Sequence, residues 1–204
     1  MKRSQAVLIL ILSGIAAPCF AQDAGAWQVK VGAHVVSPDS DNGTLAAGTL
    51  KTKVEDDAKP TITLEYFLSN NWGVEALAAL PFEHDVKLNG VKAATVKHLP
   101  PTFSVQYHFV PDAPISPFVG VGLNYTRFFD IKETGPLAGA RLDLSDSWGA
   151  AAHFGIDWRV SGAWSLTVDG RWISIETTAH VNGANVGKVK IDPWVWGAAV
   201  GYRF

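Results

Sequence analysis

The last thirteen residues, 192–204 (DPWVWGAAVGYRF), leave this chain little choice of fold. Every second side chain is apolar: Trp194, Trp196, Ala198, Val200, Tyr202 and Phe204. The positions between them, Val195, Gly197, Ala199, Gly201 and Arg203, are small or polar. A period of two is a β-strand, because successive side chains point to opposite faces. In a sheet surrounded by water, so apolar and aromatic a face would need a covering layer. In a closed barrel facing lipid the bilayer covers it, and the last strand pairs with the first.

Seven earlier segments alternate in the same way. They run from Trp27 to Val36, Pro60 to Leu68, Trp72 to Leu80, Leu99 to Phe109, Pro117 to Phe128, Trp148 to Arg159 and Trp164 to Glu176. Connections after the second, fourth and sixth segments are short; those after the first, third, fifth and seventh are long. This predicts an all-β fold, an eight-stranded antiparallel transmembrane β-barrel with short periplasmic turns and long extracellular loops. An even strand count puts both termini on the periplasmic side. The eight Trp residues all fall on the apolar parity. Trp27, Trp72, Trp158 and Trp164 flank short turns, and Trp148, Trp172, Trp194 and Trp196 flank long loops, as two interfacial belts require.

The N-terminus agrees. Lys2 and Arg3 precede an uncharged apolar run, and Cys19-Phe20-Ala21 offers small residues for cleavage after Ala21. Residues 1–21 therefore read as a signal peptide and 22–204 as a single barrel domain. Pro18 before Cys19 argues against a lipoprotein. Without Lys2 and Arg3, 15 basic residues face 19 acidic ones, a formal charge of −4, and Cys19, the chain's one cysteine, is lost with the signal. Thiol chemistry is excluded, and mild acidity without a basic run excludes nucleic acid as a partner. Tyr202-x-Phe204 at the end of an alternating strand resembles the insertion signal of bacterial outer-membrane proteins, which predicts the outer membrane as location and its insertion machinery as a partner.

Several motifs lie on this frame: WGVEALAALPF at 72–82, HLPPT at 98–102, VGLNYT at 121–126, SWGAAAHFGID at 147–157, and DPWV with GYRF at the end. Together they resemble the outer membrane protein W family over almost the whole mature chain. The resemblance implies a monomeric barrel with a narrow, largely hydrophobic lumen, set in outer-membrane lipid and lipopolysaccharide. Relatives are associated with passage of small hydrophobic compounds, alkane-uptake proteins among them. It implies no cofactor, metal or catalytic residue.

The inward parity then carries the function. Lys30, Arg159, Arg171 and Arg203 face Glu65, Glu75, Asp157 and Asp169, mostly toward the short-turn end. Buried charges must pair, so these residues predict an ion-paired floor. Above it Leu77, Ile173 and Val195 predict an apolar constriction under a cup suited to one small hydrophobic ligand. Pro60, Pro81, Pro100 and Pro101 each remove a ladder donor, which predicts a lateral opening near the second to fourth wall strands. The competing reading is a structural or adhesive barrel, with a polar interior to the top and long β-rich loops. An enzyme would need a converging Ser-His-acid set. His84, Asp85 and His98 share a predicted loop, but nothing places a Ser beside them. None of the six His shows metal-ligand spacing; His108 and His153 read as lumen hydrogen-bonders.

Overall fold

The computed structural model describes residues 24–204. The predicted signal segment, 1–21, lies outside the described residues. β1 (Trp27–Ser37) rises from the short-turn side, and the first long loop holds β2 (Thr44–Leu45) and β3 (Leu50–Val54). β4 (Asp57–Phe67) descends and β5 (Trp72–Ala79) rises. The second long loop is a hairpin of β6 (Phe82–Leu88) and β7 (Val91–Leu99). β8 (Thr102–His108) descends and β9 (Ile115–Glu133) climbs beyond the wall into the third loop, which carries β10 (Leu142–Leu144). β11 (Ser147–Ser161) descends and β12 (Trp164–Ile173) rises to a hairpin of β13 (Glu176–Val181) and β14 (Ala184–Lys190). β15 (Trp194–Arg203) completes the chain.

Eight of these strands close a barrel in the order β1, β4, β5, β8, β9, β11, β12, β15 and back to β1, every pair antiparallel. Closure is residue to residue, Gln28 opposite Arg203 and Ser37 opposite Trp194. The N–H of Trp27 donates to the Phe204 carbonyl and the N–H of Phe204 to that of Trp27, both at 2.9 Å. Closure leaves no unpaired edge in the hydrocarbon, the condition a lipid-embedded sheet must meet.

The two faces differ as the alternation requires. All eight Trp are on the outside, from 36% exposed at Trp172 to 75% at Trp148. The inner belt pairs Trp27 with Tyr66, Trp72 with Tyr107 and Trp164 with Tyr202, ring centroids 4.8–5.0 Å apart. The outer belt stacks Tyr125 on Trp148 at 4.7 Å and Trp194 on Trp196 at 5.6 Å. Val31, Ile62, Leu64, Val121, Leu123 and Val168 fill the band between, each at least 41% exposed. Only lipid makes such a surface favourable.

Segment ends differ from the sequence reading where the chain leaves the membrane. The second wall strand starts at Asp57 rather than Pro60, and the seventh stops at Ile173 rather than Glu176. Leu99 belongs to the loop hairpin, so the fourth starts at Thr102. The fifth runs on to Glu133 because β7 pairs with its outer half. The long loops are themselves β-structure.

Tyr202 and Phe204 lie on the lipid face, Phe204 65% exposed. Deleting Phe204 would remove two closing backbone bonds along with the ring, so Phe204→Ala isolates the side chain. The expected outcome is a lower folded yield in the outer membrane, read by heat-modifiable mobility. The stability of the refolded barrel should stay within about 0.5 kcal/mol, as for a surface site. An unchanged membrane yield would remove the ring from any insertion signal.

Candidate functional site

The lower barrel is filled with charge. The Lys30 ammonium lies 3.1 Å from Glu65 and 3.4 Å from Asp157, and His108 Nε2 bonds Glu65 at 2.8 Å. Above this tier Arg171 donates to Glu75 and to Asp169, each at 2.7 Å. His34 Nε2 bonds the other Asp169 oxygen at 3.1 Å, and its Nδ1 bonds Thr61. Gln106 links Glu75 to His153 at 3.3 and 3.1 Å. Lys30, Glu65, Glu75, Asp157, Asp169 and Arg171 are at most 4% exposed. The strands make room with glycine. A Cβ at Gly73 would sit 2.2 Å from a Glu65 oxygen, and one at Gly197 would sit 2.1 Å from the His34 ring.

Two expected members of the floor do something else. Arg159, predicted to pair with the inward acids, donates instead to the carbonyls of Pro111 and Ala113. It sits opposite Ser165 at the register shift beside the short turn, where backbone oxygens are within its reach. Arg203 bonds Gln28 at 3.1 Å and lies over the Phe67 ring at 4.4 Å. The paired charge also reaches higher than the short-turn end: Arg171 sits opposite Val195, and Asp169 opposite Gly197, in mid-barrel.

Directly above Arg171 the lumen turns apolar. Leu77, Ile173 and Val195 come together there with Val36, each 7% exposed or less. They border a void of about 20 Å³, shared with His34, Ala79, Phe82, His98 and Pro100. That is room for one water.

The larger space lies outside the membrane, enclosed by the loops. A cavity of about 190 Å³ is lined from all four long loops, by Leu50 and Val54, Val86 and Val96, Leu142 and Leu144, and Ala179 and Val189 among others. Fully buried Asn42 ties two loops across it, donating to the Lys190 carbonyl at 2.7 Å and accepting from the Val54 N–H at 2.8 Å. The sequence reading missed this cavity because it treated only segments long enough to span a membrane as strands. Its signal was present: in β6, Phe82, His84 and Leu88 alternate inward against Glu83 and Lys87. An engineered apolar cavity of about 150 Å³ stays dry and binds benzene, so this space suits a small hydrocarbon-like molecule.

The four prolines differ in their surroundings. Pro60 lies inside continuous pairing, opposite Ala33, and its carbonyl accepts from Leu80, so it borders no opening. Pro81, Pro100 and Pro101 flank a lapse in the pairing of the wall. Pairing between β5 and β8 ends at Leu77 opposite Thr102, and pairing in the loop hairpin starts at Phe82 opposite His98. Between them, 78–81 and 99–101 have no register across the wall. On the other side Asn124, fully buried, donates to the carbonyls of Pro100 and Pro101 and to the Thr102 hydroxyl at 3.0–3.2 Å. The Pro101 carbonyl also accepts from the Tyr125 N–H, which sets the lapse at the height of the outer aromatic belt.

Comparison with known proteins agrees with this architecture. The model of the OmpW family matches residues 23–204. The chain is similar to outer membrane protein W of Vibrio cholerae serotype O1, 36% identical with both chains fully covered. It is similar to the crystal structure of OprG from Pseudomonas aeruginosa, 31% identical with a TM-score of 0.81, over 90% of this chain and 98% of that one. It is also similar to the solution structure of outer membrane protein W of E. coli, 36% identical with a TM-score of 0.65, over 89% and 99%.

Proposed function

This chain belongs to the OmpW family of bacterial outer-membrane barrels, and from that premise we propose that it admits small hydrophobic molecules from outside the cell and releases them sideways into the membrane. The observation that carries the reading is the contrast between an apolar cavity among the loops and a lumen blocked by charge. Outside the membrane there is an apolar cavity of about 190 Å³; below it the lumen is closed by buried, mutually bonded ions. An alkyl or aromatic guest gains by leaving water for the cavity, about 25 cal/mol for each Å² of apolar surface buried. Straight passage would separate buried ion pairs, which costs several kcal/mol. The wall beside Pro81, Pro100 and Pro101 offers the cheaper route.

The β-rich loops expected of a structural or adhesive barrel are present, and Thr102, Asn124 and Thr126 are buried on the inner face near the top, but here the loops enclose an apolar space. They therefore favour the channel reading over the filled barrel. A cysteine pair at Ala79 and Pro100, which face each other if the β5–β8 register is continued, tests the route. The mature chain has no competing thiol. Uptake of a labelled hydrocarbon into cells or liposomes should fall when the pair is oxidised and return on reduction. Equal uptake in both states would remove the lateral route.

A further inference from the structure

A pair of rings separates the two apolar spaces. The loop cavity and the small void beside Leu77 have one lining residue in common, His98. Phe82, its register partner, lines the void but not the cavity. The two rings are stacked, centroids 5.6 Å apart and planes 23° from parallel. His84 adds a third ring on the cavity side, 4.9 Å from His98 and 13° from parallel. Phe82 and His98 are each 2% exposed.

The place of this pair in the wall matters as much as its packing. Phe82 opposite His98 is the first pairing above the lapse, and Leu77 opposite Thr102 is the last below it. Each ring is therefore carried by a strand whose neighbouring residues have no register across the gap. The void is lined from both edges of that gap, by Ala79 and by Pro100. A guest that leaves the cavity through the wall has to pass these two rings. The cavity presents no polar surface to it, so the rings act on its shape.

We propose that Phe82 is the gate between cavity and wall and selects guests by thickness: planar rings and single alkyl chains pass, whereas globular hydrocarbons enter the cavity and go no further. The proposal rests on the uptake reading above and narrows its substrate class. The cavity itself makes no such choice. At about 190 Å³ it exceeds the apolar space of about 150 Å³ that accepts benzene. The void holds only about 20 Å³, so a guest has to move one of the side chains that line it. Leu77, Ile173 and Val195 are packed inside the closed barrel, whereas Phe82 adjoins the unpaired stretch of wall. Turning Phe82 aside opens a slot along the flat face of His98, and a flat molecule fits there as the next ring of the stack. The other wall of the slot does not yield: His98 is backed by His84 and by Phe128, whose centroid is 5.9 Å away. A globular molecule needs that wall to part as well.

The test uses the mature protein in vesicles whose outer leaflet is lipopolysaccharide. The probes are naphthalene and adamantane, hydrocarbons of equal carbon count, one flat and one globular. Uptake is measured above that of protein-free vesicles, and the methyl resonances of Leu142 and Val189 report occupancy of the cavity. In wild type both probes should move those resonances, and naphthalene alone should be taken up. An aromatic pair contributes about one tenfold step in rate, so Phe82→Ala should raise adamantane uptake about tenfold, toward that of naphthalene. Equal uptake of the two probes by wild type, adamantane absent from the cavity, or an unchanged ratio in Phe82→Ala would each overturn the gate and leave hydrophobic uptake standing. Uptake of neither probe by wild type would remove the uptake reading itself. Should Phe82→Ala fail to fold, Phe82→Leu replaces it, and the wild-type ratio and cavity occupancy still decide.

Discussion

Arg171→Met should destabilise the folded barrel by about 3–5 kcal/mol, because it leaves two carboxylates, Glu75 and Asp169, buried without their cation. Both bonds are 2.7 Å and all three groups are inaccessible to solvent. Asp169→Ala removes a partner from Arg171 and from His34 and should cost a similar amount. The informative companion is Arg171→Met combined with Glu75→Gln and Asp169→Asn. Neutral side chains of nearly unchanged shape remove the orphaned charge, and buried ion pairs exchanged for neutral groups are often close to neutral in stability. Most of the loss should therefore return. Reversible urea unfolding in lipid vesicles measures all three. A change within about 0.5 kcal/mol for Arg171→Met would place the cluster in water and reopen the straight path.

The second large effect lies in the loops, outside the membrane: His98 is three residues beyond Tyr125 by its pairing with Phe128, roughly 10 Å along a strand. Burial, reinforced by the adjacent His84 imidazole and opposed by Asp57, pushes its pKa from 6.5 down to about 3. Below about 6.5 the unfolded chain takes up a proton that the folded chain refuses. Stability is therefore lost as pH falls, by about 1.4 kcal/mol per pH unit. The useful window runs from about 6.5 to 4.5. There His84, also held below its usual value by burial, adds a loss common to wild type and His98→Phe. The window lies above the range in which carboxylates with lowered values, such as Asp57 and Asp85, add theirs. Over that window wild type should lose about 2–3 kcal/mol more than His98→Phe, measured by hydrogen exchange in β6 and β7. Parallel curves would mean that the imidazole is hydrated in the folded protein.

Much of this molecule was legible in the sequence, and the boundary of legibility is physical. Outward residues such as Trp148 and Val121 face a uniform solvent, lipid, so alternation alone assigns them. Lys30, Glu65, Glu75, Asp157, Asp169 and Arg171 were also readable, because parity puts them inside and charges there have few partners to choose from. Arg159 was misjudged for the opposite reason. At a strand end, free carbonyls compete with carboxylates, and parity says nothing about that contest. Pro60 was misjudged because one missing donor need not open a ladder, whereas Pro81 and Pro100-Pro101 fall on the two sides of one lapse, between Leu77–Thr102 and Phe82–His98. The cavity depends on four loops meeting through contacts such as Asn42 to Lys190 and Val54, and local alternation does not report which loops meet.

Closure between Trp27 and Phe204 has a kinetic consequence. The two residues that lock the ring are nearly as far apart in the chain as the described residues allow, and joining distant segments slows folding. Until the last strand arrives, β1 and β12 each present a row of unpaired N–H and C=O groups, an invitation to pair with another chain. A sheet that lacks only β15 therefore carries two adhesive margins. Pairing of β15 with β1 and β12 removes both margins in one step.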